Sequence, residues 1–237
     1  MRALILRLEG PLMSFGGVAV DEIRPTRQLP GRSMLTGLLA NALGWEHGDV
    51  EALDRLQARL RFAARQDRSG TLLRDYQTAE LAKRDLLWTS RGRPAGRDGG
   101  DASYGGPVLR QRYYLADAAV TVALSLEPAS EAPGLDALAA ALRRPARPLF
   151  LGRKGCPPAG PLLERIVEAE TLVAALGQVE PWRGEGDEKR RFLVETEDME
   201  GEPDGRPVEL ADRRDWRLGF HTGQSRRREL FVSAGGA

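Results

Sequence analysis

Midway along the chain, between two segments that read as β-strands, lies Ser90-Arg91-Gly92-Arg93-Pro94-Ala95-Gly96-Arg97-Asp98-Gly99-Gly100. Glycine, proline and arginine at this density cannot pack a core. Whatever fold the chain adopts must therefore be built by the flanking segments and must tolerate a long basic arm or hairpin projecting from it. Before the arm, Arg74-Asp75-Tyr76-Gln77-Thr78 has strand-like residue types. After it, Tyr113–Leu126 reads as one strand, because Val120, Val122, Leu124 and Leu126 alternate with Thr121, Ala123 and Ser125.

The same logic places the other elements. Leu4, Leu6 and Leu8 alternate along a first strand that Gly10-Pro11 ends. Ser33 is a candidate N-cap for a helix whose Leu35, Leu38, Leu39, Ala42 and Leu43 share one face, and Gly44 stops it. A second short helix spans Asp49–Leu60, and Leu60–Arg65 reads as a strand running out to Gly70. Pro133-Gly134 leads into a helix bearing Leu135, Leu138, Ala139 and Leu142, which Pro145 and Pro148 end. Strand, helix, strand, insertion, strand, helix needs one more strand to complete a βαββαβ ferredoxin-like unit. Leu149-Phe150-Leu151 or a later segment must supply it. Leu163–Leu176 reads as helical, while Arg191–Thr196 and Glu229–Val232 read as strands of a small C-terminal part.

With 237 residues, 41% hydrophobic and 29% charged, the chain is long enough for one large or two small globular domains. No apolar run reaches the ~20 residues that span a bilayer, and the first residues do not form a signal peptide. One cysteine, Cys156, excludes an internal disulfide and suits a reducing cytoplasm. The net charge of +1 hides opposed patches. Lys83–Arg112 holds seven Lys/Arg against three Asp, and Glu180–Asp204 holds ten acids against four bases. A basic surface can coexist with an acidic loop that stays away from it.

Nucleotide-cofactor loops are missing, as are His-Glu-x-x-His and Cys-x-x-Cys metal motifs, so neither cofactor nor metal is expected. His47 follows a helix end, where it suits a dipole partner or an exposed loop residue. His221 lies among Arg217 and Arg226–Arg228 and is the candidate base of a nuclease reading. What remains is phosphate and base binding. Arg24, Arg27, Arg32 and Ser33 cluster at the mouth of the Leu35–Leu43 helix, whose free N–H groups favour an anion. Gly152, Arg153 and Lys154 form a second candidate, with glycines that let an RNA backbone approach and two cations to meet it. Arg74, Tyr76, Trp88, Tyr104, Arg110, Arg112 and Tyr113 interleave aromatics with cations along the arm, a composition suited to stacking on single-stranded bases. Tyr76 and Tyr113 can equally pack on a sheet.

Several blocks, in order, carry a family resemblance. They are Leu6–Gly16, Arg24-Pro25-Thr26, Leu29-Pro30-Gly31-Arg32-Ser33 and Gly37–Gly44, then Leu73–Thr78, Tyr114–Ala118 with Val122-Ala123-Leu124, and Leu151–Pro157. Together they resemble the CasD family, the type I-E members of the fifth family of CRISPR-associated proteins in the RAMP superfamily. The resemblance covers roughly residues 1–165. It implies an α+β fold: a ferredoxin-like, RRM-type domain over 1–160, a thumb inserted at about 77–111, and a small C-terminal β-rich region over 161–237. It also implies a role as a non-catalytic subunit of a Cascade complex. Such a subunit caps the repeating backbone, grips the 5′ handle of the crRNA and sits near the large subunit and the target DNA. Phe15, Met34, Thr36 and Gln77 depart from the family pattern. Type I-C relatives cut repeat RNA with Tyr, Lys and His. Here Arg110-Gln111-Arg112-Tyr113-Tyr114 holds no histidine, which points to binding without cutting. A metal-independent endoribonuclease using His221 or Tyr76 is the competing reading, and a mainly protein-binding subunit is a third.

Overall fold

The computed structural model describes residues 1–19, 21–80, 87–88, 94–95, 108–181, 189–195 and 205–233. Most of the basic run from Lys83 to Arg97, the Tyr104 ring and most of the acidic run to Asp204 lie outside them, as does the side chain of Trp88.

Strand β1 (Arg2–Glu9) is an interior strand of the main sheet, and its alternation serves two cores. Leu4, Leu6 and Leu8 face one side of the sheet, Ala3 and Ile5 the other. Two short strands, β2 (Leu12–Met13) and β3 (Ile23–Arg24), precede helix α1 (Arg32–Leu43). Helix α2 (Val50–Arg59) runs directly into β4 (Leu60–Arg68). Strands β5 (Thr71–Ala79), β6 (Leu87–Trp88), β7 (Pro94–Ala95) and β8 (Val108–Ala116) follow, then β9 (Ala119–Leu126) and α3 (Leu135–Arg143). The chain continues with β10 (Leu163–Glu168), α4 (Leu172–Gly177), β11 (Lys189–Glu195), β12 (Arg206–Asp215) and β13 (Phe220–Ser233).

Seven strands form one antiparallel sheet in the order β10-β1-β9-β4-β11-β13-β12. On one face, Leu35, Leu38 and Leu39 of α1, Leu56 of α2 and Leu138 and Leu142 of α3 pack on the leucines of β1 and on Phe62, Val120, Val122 and Leu124. On the other face, Leu172, Ala175 and Leu176 of α4 cover Ile5, Ala63 and Ala123. Under α4 lies a buried polar network. Arg65 donates to Asp67 at 2.6 Å and to the carbonyls of Leu176 and Val179, and Thr121 donates to Asp67. This pins the helix to a sheet face that is otherwise alanine-rich.

The arm leaves as a β-ribbon. Strands β5 and β8 pair antiparallel from Thr71↔Ala116 to Ala79↔Val108. Gly70 makes the bend from β4 into β5 at φ +66°, and a Cβ there would lie 2.4 Å from the Ala116 carbonyl oxygen. On its other edge β8 pairs with β2 and, in parallel, with β3, which anchors the ribbon base to the N-terminal segment.

Two expectations need correction. The Tyr113–Leu126 stretch is two strands, β8 and β9, reversed at Asp117, whose φ is +55°. Alternation runs on through so tight a turn, so the pattern conceals the reversal. Leu163–Leu176 is not one helix: its first residues form β10, a strand beside β1, and α4 starts only at Leu172, where Thr171 accepts from the Ala174 N–H. The apolar positions in this segment fit either period, and pairing with β1 decides. The chain beyond 160 takes part in the same sheet. It supplies β10 at one end of the sheet and β11–β13 at the other, with Phe192 and Leu193 paired to Arg65 and Ala64 of β4.

Candidate nucleic-acid interface

α1 begins without a cap from its own sequence. Its N-cap position is Gly31, not Ser33, and no local side chain bonds the free N–H groups. Asp212 of β12 does so instead: its Oδ2 accepts from the Arg32 N–H at 2.9 Å, and its Oδ1 accepts from Ser225. The helix mouth, a phosphate site by its residue types, thus holds a buried carboxylate of the protein itself. Arg32 is 7% exposed, and its guanidinium donates to the carbonyls of Gln57 and Leu60. It ties α1 to α2 and β4 and does not face the surface.

The helix does line a groove of 950 Å³. Residues 14–17 and 147–154 form one wall, and β12, the turn that follows it and β13 contribute Arg214, Trp216 and His221 to the other. Arg27, Arg147, Arg153, Lys154 and Arg214 line it, with Glu46 as the single carboxylate. Burial holds the Arg27 guanidinium below its ordinary range, partly offset by Asp212, and the same cause acts on Arg214. Arg27 donates to the Ala211 carbonyl at 3.1 Å, and Arg214 lies 5.3 Å from the Trp216 ring centroid. Buried cations without a paired carboxylate are favourable places for an anion.

His221 lines the groove with Ser33, its Nε2 lying 2.9 Å from the Ser33 Oγ. Its pKa is lowered by burial and then by the neighbouring Arg214 and Arg27, so the ring is neutral at pH 7. Tyr76 stands out on the ribbon, 59% exposed and outside the groove lining. The two residues of the nuclease reading are therefore not brought together there.

Loop 147–154 is held by several interactions at once. The Arg153 guanidinium donates to the carbonyls of Tyr113 and Arg24 and lies 4.7 Å from the Tyr114 ring centroid. Gly152 has φ +93°, and a Cβ would fall 1.7 Å from the Ser14 carbonyl oxygen. Its glycine is required by the neighbouring strand end rather than by an RNA backbone. Lys154 is exposed in the groove wall. Arg24 bonds back to the carbonyls of Asp21 and Ile23. Arg74 on β5 is exposed, and Arg110 and Arg112 on β8 are half-buried, opposite Gln77 and Asp75. The candidate residues therefore divide between groove and ribbon. Arg27, Ser33, Gly152, Arg153 and Lys154 line the groove; Arg74, Tyr76, Arg110 and Arg112 lie on the ribbon, and Arg24 lies at its base.

Sequence reasoning missed Gly37, Trp45, Arg147, Arg214 and Trp216 of the groove. Arg147 donates to the carbonyls of Trp45 and Gly44 at the end of α1, the role expected of His47. Gly37 stands inside α1, where glycine costs about 1 kcal/mol relative to alanine. That helix penalty is the one signal legible in the sequence. The sheet face opposite α1, α2 and α3 is covered by α4.

Frame and groove together define a sheet-rich α+β protein whose cationic cleft opens beside a projecting ribbon. A family model described as CRISPR-associated protein (Cas_Cas5) matches residues 3–228. The CRISPR system Cascade subunit CasD of Escherichia coli (strain K12) is 34% identical over 190 residues, covering 77% of this chain and 79% of that protein. A chain of a CRISPR RNA-guided surveillance complex superimposes with a TM-score of 0.67 at 30% identity, over 98% of this chain and 89% of that one. A second solved structure, described as a Cas protein, gives 0.57 at 28% identity, over 98% and 94%. The chain belongs to the CRISPR-associated Cas5 family.

Proposed function

We propose that this chain is a non-catalytic crRNA-binding subunit of a type I-E CRISPR Cascade complex, acting in the cytoplasm in antiviral DNA interference. It grips the 5′ handle of the crRNA in the groove, caps the backbone subunits and places the ribbon against the RNA. The large subunit and the target DNA lie nearby. The observation that carries this reading is the 34% identity, across more than three quarters of both chains, to a Cascade subunit. The groove supports it, with five Arg and Lys against one Glu in its lining. We read the order β10-β1-β9-β4, with α1 and α3 on one face, as a ferredoxin-like, RRM-type unit. With α4 over the other face, RNA binding moves to the groove and the ribbon.

The test is to purify the tagged protein from its host, sequence the bound RNA and identify the co-purifying proteins. Guide RNAs sharing one repeat-derived 5′ end, together with Cascade-like partners, are expected. Protein without RNA would sink the proposal. Incubating repeat RNA with the protein in EDTA should leave it intact; metal-free cleavage that His221→Ala abolishes would instead establish the nuclease reading. Replacing Arg27 and Lys154 together by Ala should weaken RNA binding and flatten its salt dependence, by about 0.7 in log–log slope for each phosphate that is no longer neutralised.

A further inference from the structure

The ribbon leaves the main sheet through two tight crossings. Gly70 turns β4 into β5 at φ +66°, and Asp117 turns β8 into β9 at φ +55°. Strand β5 is nine residues long. At ~3.4 Å per residue that is a lever of roughly 30 Å, so a tilt of about 10° at the base moves Ala79 by roughly 5 Å. The angle at the base therefore decides where the ribbon lies.

That angle is fixed on the other edge of β8. β2 holds Leu115 and Ala116, and β3 pairs in parallel for two residues, Ile23↔Gln111 and Arg24↔Arg112. The next residue, Pro25, has no N–H to continue the ladder. Arg153 takes over at this point. Its guanidinium donates to the Arg24 carbonyl at 2.9 Å and to the Tyr113 carbonyl at 3.0 Å, and it lies 4.7 Å from the Tyr114 ring centroid. The Ser14 hydroxyl also donates to the Tyr113 carbonyl, at 3.2 Å. Arg153 reaches out from a rigid base, because Leu151 and Cys156 are buried on either side of it. The Leu151 N–H donates to the Cys156 carbonyl at 2.7 Å, and the Ser14 N–H donates to the Leu151 carbonyl at 3.0 Å. One side chain thus joins the groove wall, β3 and the ribbon strand β8. The planar fork of a guanidinium can bond two carbonyls and stack on a ring together, which an ammonium does not reproduce.

An RNA held by groove and ribbon is attached twice to one body, and the gain from the second attachment is lost when the geometry forbids both. We propose that Arg153 is a positioning residue for RNA binding: it sets the ribbon's angle to the groove wall so that one strand meets both. The inference rests on the RNA-binding reading above.

The experiment uses the full chain, the same chain with 80–107 replaced by Asn-Gly, and the co-purified guide RNA's 5′ segment, synthesised with a fluorescent label. Arg153→Gln should weaken binding roughly tenfold in the full chain and add no loss in the trimmed one, because only the second attachment depends on the angle. Arg153→Lys, which keeps the charge and most of the volume, should lose as much as Arg153→Gln. If Arg153→Lys keeps the full affinity, the side chain is a point-charge contact to phosphate and the proposal is overturned. Equal losses in the full and trimmed chains overturn it too. A second readout needs no RNA. Spin labels on Thr78→Cys and Ala58→Cys, both exposed positions, with the buried Cys156 left unlabelled, should give one narrow distance in the otherwise unaltered chain. Arg153→Gln should broaden it by about 5 Å, the reach of a small tilt; an unchanged distribution overturns the proposal. If the unaltered chain fails to bind the RNA, the RNA-binding reading falls and this one with it. If trimming weakens binding and neither Arg153 variant does, only this one falls.

Discussion

Asp212 acts as a helix cap from a position 180 residues away in sequence from Arg32, with Ser225 holding its second oxygen. Losing that cap and orphaning the Ser225 hydroxyl should cost about 1–3 kcal/mol, so Asp212→Ala should lower the urea midpoint accordingly. Arg32→Ala should also act on stability, because the guanidinium is buried against two main-chain carbonyls. An RNA-binding loss with unchanged melting would contradict that placement. His221 carries a pH signature. Its folded pKa lies below the ordinary 6.5, through burial and then Arg214 and Arg27, so on acidification the unfolded chain takes up the proton first. Stability linked to this residue is fully present above pH 6.5 and declines as pH falls below it. The ring is partly open to solvent, which keeps the effect small. Melting temperatures between pH 8 and pH 5.5 should therefore fall less for His221→Gln than for the unaltered protein.

At the scale of elements, α4 depends on a charge it does not own. Asp67 pairs with Arg65, which in turn caps the carbonyls of Leu176 and Val179 at the C-terminal end of α4. Asp67→Ala leaves Arg65 buried and unpaired from this carboxylate, and a loss of about 3–5 kcal/mol is expected in chemical denaturation. The ribbon behaves differently. Its base is paired on both edges, β5 on one side and β2 and β3 on the other, so it does not need residues 80–107 to hold register. Replacing 80–107 by a two-residue Asn-Gly turn should leave the melting temperature nearly unchanged while reducing guide-RNA retention in pull-downs. A collapse in melting temperature would show that the arm packs on the domain.

At the scale of the whole molecule, the C-terminal strands belong to the main sheet and also complete the groove. They supply Trp216, Arg214 and His221 to its wall, the Ala211 carbonyl to Arg27 and the cap to α1. Gln57 and Arg214 bond each other reciprocally across the same seam. Truncation before Lys189 should therefore remove the cooperative unfolding transition rather than release a stable N-terminal domain; a sharp transition in the truncated chain would contradict this.

The sequence by itself determined the elements whose periodicity is unambiguous: β1, α1, α2 and α3, each marked by local pattern. It also determined that a basic arm must project, because no core can be made of Ser90–Gly100, and ordered motifs carried the family resemblance over 1–165. Only the tertiary structure decided that α4 covers the second face of the sheet, that 163–168 is a strand beside β1, and which arginines are used inside. Arg32, Arg153 and Lys154 look alike in sequence, yet one is buried, one clamps a loop and one faces the groove. The reason is physical. Periodicity is local, whereas the fate of a charge is set by partners such as Asp212 and Trp216, which reach α1 and its groove from across the fold.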